Sequence, residues 1–460
     1  MGSSPKEGIS HEGYVTVRFV SLSRSLVRLI RSQTTGAHDL EAAERYVRDW
    51  LGSTVAGRAT QPGAALTAYG QAIADLDGQI FLAAALSHIT ETDDLHRGSV
   101  THPGCVVIPT ALILTHKMGG TGAQALRAVL AGYEAVLRVG EALGEEHYRI
   151  FHNTATAGVF GSTAAACTVL DLEEEAWVWA MGNAGTQASG LWQFNQDATM
   201  SKHLHAGNAA AAGVRAALLA ARGFTGPSEI LEGTKGFFRG FCPDPIPAAI
   251  TSEAAGWKLP ETSMKPYPCC RHTHPAVDAA LELRDSLQRG TAVDLTPDRI
   301  ESIRILTYPA ALEFTNQPRP TTPYAAKFSI QYCVAKSFAG GPLKLTSFEP
   351  AELEDDVLEK WLEKIKVEPN TKFEAAYPSH WGAEVVATSV DGSIHRASRA
   401  DALGDPEQPL DDDWLDRKTL GLLEYGGIRD TAASDLLREC RGLPQATRIF
   451  SLPRLEARKS

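Results

Sequence analysis

The chain has 460 residues, 43% hydrophobic and 22% charged, which excludes a disordered, collagen-like or disulfide-scaffold protein and leaves room for two or three domains. The 44 Lys+Arg against 55 Asp+Glu give a net charge of −11, which argues against a nucleic-acid binder, since phosphate contacts need a surplus of cations. An anionic small-molecule substrate stays open, because a few cations in a closed cleft outweigh distant surface carboxylates.

Residues Met1 to Gln33 scatter Lys6, Glu7, His11, Glu12, Arg18, Arg24, Arg28 and Arg31 among their apolar residues, so no signal-peptide core is expected. Ala-, Leu- and Gly-rich segments of helical length follow at Leu40–Ala56, Gly122–Leu143, Thr156–Val169, Glu173–Gly190 and Asn208–Arg222. Residues 20–264 are therefore expected to form an all-α unit whose small residues let helices approach closely. The longest apolar run, Cys105 to Thr115, is too short to span a bilayer and contains Pro109, so no membrane insertion is expected. The texture changes after Lys258-Leu-Pro-Glu261. Arg299–Tyr308 and Glu384–Ser398 alternate as strands do, the second around an Asp391-Gly392 hairpin turn. Pro275–Leu287, Pro323–Phe338 and Ala351–Ile365 between them have a helical pattern, so 265–399 is predicted as an α+β lid. The tail, 400–460, returns to helix at Asp411–Leu423 and Asp430–Arg441 and is expected to pack on the first unit. The predicted fold is mainly α: a large discontinuous helical domain with a smaller inserted α+β lid. Seven cysteines without a CxxC pair fit a reducing, cytoplasmic setting.

Histidines cluster locally as His96/His102, His147/His152, His203/His205 and His272/His274. The segment Glu91 to Gly104 places three carboxylates and two imidazoles in a turn-rich stretch, and a carboxylate beside an imidazole orients it for acid–base work. Phe151 to Gly161 offers His152 ahead of an Ala-rich helix, whose N–H groups favour anions. Ser201 to Asn208 puts Lys202, His203 and His205 ahead of another small-residue helix. Lys265 to His274 adds Lys265 and Arg271 at the predicted domain boundary, where ligands commonly bind. Buried substrate carboxylates require such cations. With no HExxH element or spaced Cys/His quartet, and Arg271 beside Cys270, no metal is expected. Phosphate-loop, GxSxG and GxGxxG elements are also absent.

Seven segments carry a resemblance that spans nearly the whole chain: DDLHRGSVTHPG (93–104), FHNTATAGVFGS (151–162), SKHLHAGNAA (201–210), GFTGPSEILEG (223–233), KPYPCCRHTHPAVDAA (265–280), KFSIQY (327–332) and GDPEQPL (404–410). In this order they resemble the MmgE/PrpD family, which includes 2-methylcitrate dehydratase, cis-aconitate decarboxylase and iminodisuccinate epimerase. The resemblance implies a helical domain built from both chain ends, an inserted lid, a homodimer, and catalysis without metal or organic cofactor. It places active-site positions on Asp93, His102, His152, Lys202, Lys265 and Tyr332. Cys270 stands where the decarboxylase branch has a histidine, and the loop ahead of His102 is one residue longer than in that branch.

The expected activity is a cofactor-independent lyase that dehydrates a hydroxy di- or tricarboxylate such as 2-methylcitrate. His102 and His152 serve as base and acid, Asp93 orients His102, and Lys202 and Tyr332 complete the catalytic set. Lys265, Arg271, His96, Cys270 and His274 are the expected substrate-binding residues. Decarboxylation and epimerisation are the rival chemistries, and a non-enzymatic helical scaffold is the rival class.

Overall fold

The computed structural model describes residues 21–73, 75–196, 199–289 and 295–449. The first 20 residues and residues 450–460, which carry part of the N-terminal and tail expectations, lie outside the described residues. Twelve longer helices organise the rest: α1 (Leu22–Ser32), α2 (Ala37–Arg58), α3 (Leu76–Ser87), α4 (Pro103–Met118), α5 (Gly122–Glu141), α6 (Gly158–Val169), α7 (Glu174–Gly185), α8 (Ser201–Ala220), α9 (His274–Gln288), α10 (Ile330–Gly340), α11 (Asp412–Tyr425) and α12 (Asp430–Arg441). Local chemistry sets several boundaries. α4 ends at Gly119, whose φ of 70° suits a residue without a Cβ, and α5 opens on a capping box in which Thr121 and Gln124 bond each other's backbone N–H. α5 and α6 cross glycine against glycine: a Cβ on Gly132 would stand 2.9 Å from the Gly161 carbonyl oxygen.

One apolar core takes residues from α1 to α8 and also Leu415, Leu423, Ala433 and Cys440 of α11 and α12, so the tail packs on the first half. Polar contacts reinforce this: Arg48 of α2 pairs with Asp412 at 2.8 Å and Asp416 at 2.7 Å, while Lys418 of α11 pairs with Asp49 and donates to the Thr92 carbonyl at 2.7 Å. The tail thus buttresses the loop that carries the acidic segment.

A second core joins α9 and α10 to a four-stranded sheet of β1 (Ile300–Thr307), β2 (Ile365–Pro369), β3 (Ala383–Ser389) and β4 (Ile394–Arg399), in the order β2-β1-β3-β4. β1 and β2 are parallel and the other pairs antiparallel; Gly392, with φ 84°, turns the β3–β4 hairpin. A third, smaller cluster lies at the seam, where Leu95 meets Leu306, Tyr308, Phe373, Trp381 and Val386.

Three predicted helices differ in the structure. Pro323–Phe338 divides into Pro323–Lys327 and α10, because Ser329 Oγ accepts from the Tyr332 N–H and starts a new helix. Ala351–Ile365 becomes the short helices Pro350–Leu353 and Asp356–Leu362 followed by β2, a five-residue strand that forms by pairing with β1. α8 begins at Ser201, so Lys202, His203 and His205 sit in its opening turns rather than ahead of it. No helix among the described residues is long and apolar enough to cross a membrane.

Candidate active site

A cavity of about 850 Å³ opens between the helical core and the lid. Glu91, His102, His152 and Lys202 line it from the helical side, Lys265 from the connecting loop, and Cys270, Arg271, His272, Glu313, Phe314 and Trp381 from the lid. Helix starts place the main polar groups: His102 is the N-cap of α4, His152 that of the short helix Asn153–Thr156, and Lys202 lies in the first turn of α8. The N-termini of two long helices therefore face the cavity, and their dipoles favour a bound anion.

Glu91 is the hub. Its carboxylate pairs with Lys202 and accepts from Lys265 Nζ at 2.9 Å, and all three side chains are buried. Burial opposes the Glu91 charge, but the two ammonium groups overcome it and hold its pKa well below the ordinary value. Burial likewise opposes the charge on Lys202, and the Glu91 and Asp93 carboxylates more than offset it, so its pKa is raised. Glu91 has a φ of 59° and Val100 one of 49°, left-handed conformations that are costly for these residue types. Backbone strain is thus stored in the loop that carries the hub.

Asp93 holds the imidazoles. Its Oδ2 accepts from His88 Nδ1 at 2.6 Å and stands 3.1 Å from His102 Nδ1. Burial opposes its charge, and both rings draw its pKa well below the usual range. Burial drives His102 and His152 below the ordinary imidazole value, and His88 down to about 3, which keeps them neutral bases near neutral pH. His152 Nδ1 lies 3.4 Å from His205 Nδ1, and its ring stacks on His88 at 5.5 Å between centroids. Asp94 has a different task. It accepts from Tyr133 OH at 2.6 Å and from the Gly104 N–H at 3.0 Å, tying the loop to the start of α4, and burial pushes its pKa up to about 8.

The other expected residues divide. Cys270 is on the cavity, its thiol pushed up to about 12 by burial. Arg271 also reaches the cavity, but its guanidinium is bound to Asp405 at 2.6 Å and to the Leu403 carbonyl at 3.0 Å, so its charge is already matched. His274 is fully buried behind the loop, where Nδ1 meets Arg271 at 2.9 Å and Nε2 meets the Cys269 carbonyl at 3.2 Å. His96 sits in a turn with Ser99 Oγ 2.9 Å from its Nδ1 and does not line the cavity. Tyr332 is in the lid core, donating to the Ser347 carbonyl at 2.7 Å, also away from the cavity. α10 turns it inward because its register is set by the Ser329 cap.

Several residues escaped the sequence reading. Glu91 heads the acidic segment, where nothing in the linear order separates it from Asp93 and Asp94. His88 carries no motif signal, being the last residue before the α3–α4 connection turns. Lys327, in KFSIQY, donates to the Thr90 carbonyl at 2.9 Å behind the hub, and burial lowers its pKa to about 8.

Among the described residues, His88, Asp93 and His102 have the donor types to hold a metal ion. Both Nδ1 atoms, however, converge on a single carboxylate oxygen at hydrogen-bond separations, and the Lys202 charge opposes added positive charge on both rings. The set fits carboxylate-oriented imidazoles. The groups His96/Glu141/Glu261 and His380/Asp401/Glu407 already enclose the cations Lys258 and Arg97.

Comparison with known proteins completes the picture. Family profiles match residues 30–249 as an MmgE/PrpD N-terminal domain and residues 267–439 as an MmgE/PrpD C-terminal domain. The cis-aconitate decarboxylase of Mus musculus is 27% identical over 369 residues, 77% of this chain and 73% of the relative. That of Homo sapiens is 27% identical over 357 residues, 74% and 70%. The cis-aconitate decarboxylase-like protein oryM of Aspergillus oryzae is 26% identical over 373 residues, 76% and 74%. With matches across both halves, the chain belongs to the MmgE/PrpD family.

Proposed function

We propose that the protein is a cofactor-independent lyase that removes water from a hydroxylated di- or tricarboxylate such as 2-methylcitrate. The observation that carries this reading is the pair of buried ammonium groups, Lys202 and Lys265, held on Glu91 beside neutral, Asp93-oriented imidazoles in one cavity. Removing a proton next to a carboxylate builds extra negative charge, which preorganised cations stabilise without reorganisation. One of His102 and His152 takes the proton, the C–H electron pair becomes the carbon–carbon double bond, and the hydroxyl leaves with a proton from the other imidazole, which the bound substrate's carboxylates hold as an imidazolium in the complex. Base and acid exchange protonation states in this step, and one proton transfer between them resets the pair. Lys202 and Lys265 pair with substrate carboxylates. Arg271, bound to Asp405, shapes the loop more than it supplies free charge.

Decarboxylation is the second reading, favoured by the name the relatives carry. There the carbon–carboxylate bond breaks with loss of carbon dioxide, its electron pair forms the carbanion, and an imidazolium held protonated by the substrate's carboxylates delivers its proton to carbon. Under either reading the protein is expected to act as a cytoplasmic homodimer on a small carboxylate.

Proton NMR in deuterium oxide tests the proposal, on protein freed of metal by dialysis against chelator, with separate samples of 2-methylcitrate, citrate, cis-aconitate and iminodisuccinate. Loss of water from a hydroxy acid supports dehydration. Conversion of cis-aconitate with release of carbon dioxide replaces it by decarboxylation, and solvent deuterium in recovered substrate without net product replaces it by epimerisation. Silence with all four overturns the polycarboxylate lyase reading.

A further inference from the structure

The helical side of the cavity is rich in charge, and the lid side adds the polar side chains of Gln317, Thr322, Tyr324 and His272. The Cys270 S–H is a weak donor, and the Arg271 guanidinium is engaged by Asp405 and Leu403. His272 is distinguished from the other lid groups by how it is held. Its ring lies between Trp381, at 4.2 Å between centroids and 7° between planes, and Phe314, at 5.3 Å and 8°. All three side chains line the cavity. Both faces of the imidazole are thus covered by aromatic rings.

One nitrogen is fixed as well. His272 Nδ1 is 2.6 Å from the hydroxyl of Tyr308, which is fully buried. If the ring donated to the phenol, the phenol's own buried proton would have no acceptor among the described residues, which is costly. The phenol therefore donates to Nδ1, and the neutral ring carries its proton on Nε2. Nε2 has no hydrogen-bond partner among the described residues, and it is the nitrogen left to the cavity.

We propose that His272 is a further catalytic residue of this site: a neutral imidazole whose Nε2–H donates a hydrogen bond, from the lid, to the substrate oxygen that gains negative charge. The proposal rests on the polycarboxylate lyase reading for its substrate class. The proton stays on Nε2 throughout, since its loss would leave an imidazolate; His102 and His152 carry the transferred protons. Burial together with the Lys265 charge lowers the His272 pKa to about 3, so the ring remains neutral across the working range. Tyr308 is a positioning residue, acting through the tautomer it imposes.

The decisive experiment is 15N NMR of the full-length protein labelled at histidine, with and without citrate, His272 being assigned by the signal lost in His272→Gln. An Nε2–H tautomer, and a citrate-induced shift of its proton, are expected; an Nδ1–H tautomer overturns the proposal. So does a spectrum in which citrate moves the His102 signals and leaves His272 unchanged. Kinetics on whichever compound the wild type converts should show His272→Ala lowering kcat about 10²-fold with KM within about threefold, in the range of single-donor losses. His272→Gln, which keeps an N–H donor, should recover part of that loss, and Tyr308→Phe should lower kcat about tenfold while reducing the Nε2–H population. A kcat within about threefold of wild type in His272→Ala overturns the proposal. If the wild type converts no compound in the panel, the lyase reading fails and the tautomer still decides the case for His272. Thermal melts of each variant show whether a loss of rate is a loss of fold.

Discussion

The two walls of the cavity differ in how their polar groups are held. The helical wall sets Glu91, Asp93, Lys202 and the ring of His102 at helix starts and in a strained loop, each charge matched by a neighbour within hydrogen-bond reach. The lid wall carries the aromatic stack of His272, Phe314 and Trp381, with Cys270, Glu313 and the hydroxyls of Thr322 and Tyr324 beside it. Close helix packing supplies the rigidity the first wall needs, because buried charges keep their partners only while the elements beneath them stay fixed. The second wall needs none of this and can exclude water. Charge movement therefore belongs to the helical wall, and the lid sets the dielectric in which it occurs.

The largest expected effects come from breaking the charged wall. His102→Ala and Lys202→Ala should each lower turnover by about 10² or more with the fold intact, read as kcat on the active compound alongside circular dichroism. Near-normal rates in both would move the chemistry off this wall. Glu91→Gln should destabilise the protein by about 3–5 kcal/mol, measured by urea unfolding, because it leaves two buried ammonium groups on a neutral amide.

Acid should weaken the same wall. His88, with a native pKa of about 3, and His203, at about 4, stay neutral in the fold below the ordinary 6.5, while the unfolded chain takes up protons. Stability then falls as pH drops from 6.5 toward about 4, by up to about 1.4 kcal/mol per pH unit for each such ring. The lowered pKa values of Glu91 and Asp93 extend the loss below their ordinary values of 4.5 and 3.8. Asp94, raised to about 8, works in the opposite sense and softens the slope. Urea midpoints across this range check the sign; stability that rose on acidification would contradict it. The smallest effect is expected at Tyr332→Phe, which removes a hydrogen bond to Ser347 within the lid core. It should cost about 1 kcal/mol and leave turnover within about twofold, and a large loss of rate would return Tyr332 to the site.

The legible part of this protein was its local chemistry. Helical periodicity, the Asp391-Gly392 turn and the family's segments identify the mainly α fold and bring forward Asp93, His102, His152, Lys202, Lys265 and Cys270, which the structure gathers at one cavity and its supporting carboxylate. What the linear order could not rank was which neighbour in a dense polar segment turns inward. Glu91 rather than Asp94 meets the lysines because the loop adopts left-handed backbone at residues 91 and 100, a conformation stabilised only by the assembled fold. His96, His274 and Tyr332 have the residue types of a site but are turned away by a Ser99 turn, the Arg271 contact and the Ser329 cap. β2 and the His272 stack exist only through partners far along the chain, β1 for the strand and Trp381 for the ring. Sequence by itself determined which chemical groups are available and which segments form helices, since those depend on neighbours a few residues apart. Tertiary structure alone decided which groups share a low-dielectric cavity, because desolvation and ion pairing depend on distances that only the packed chain sets.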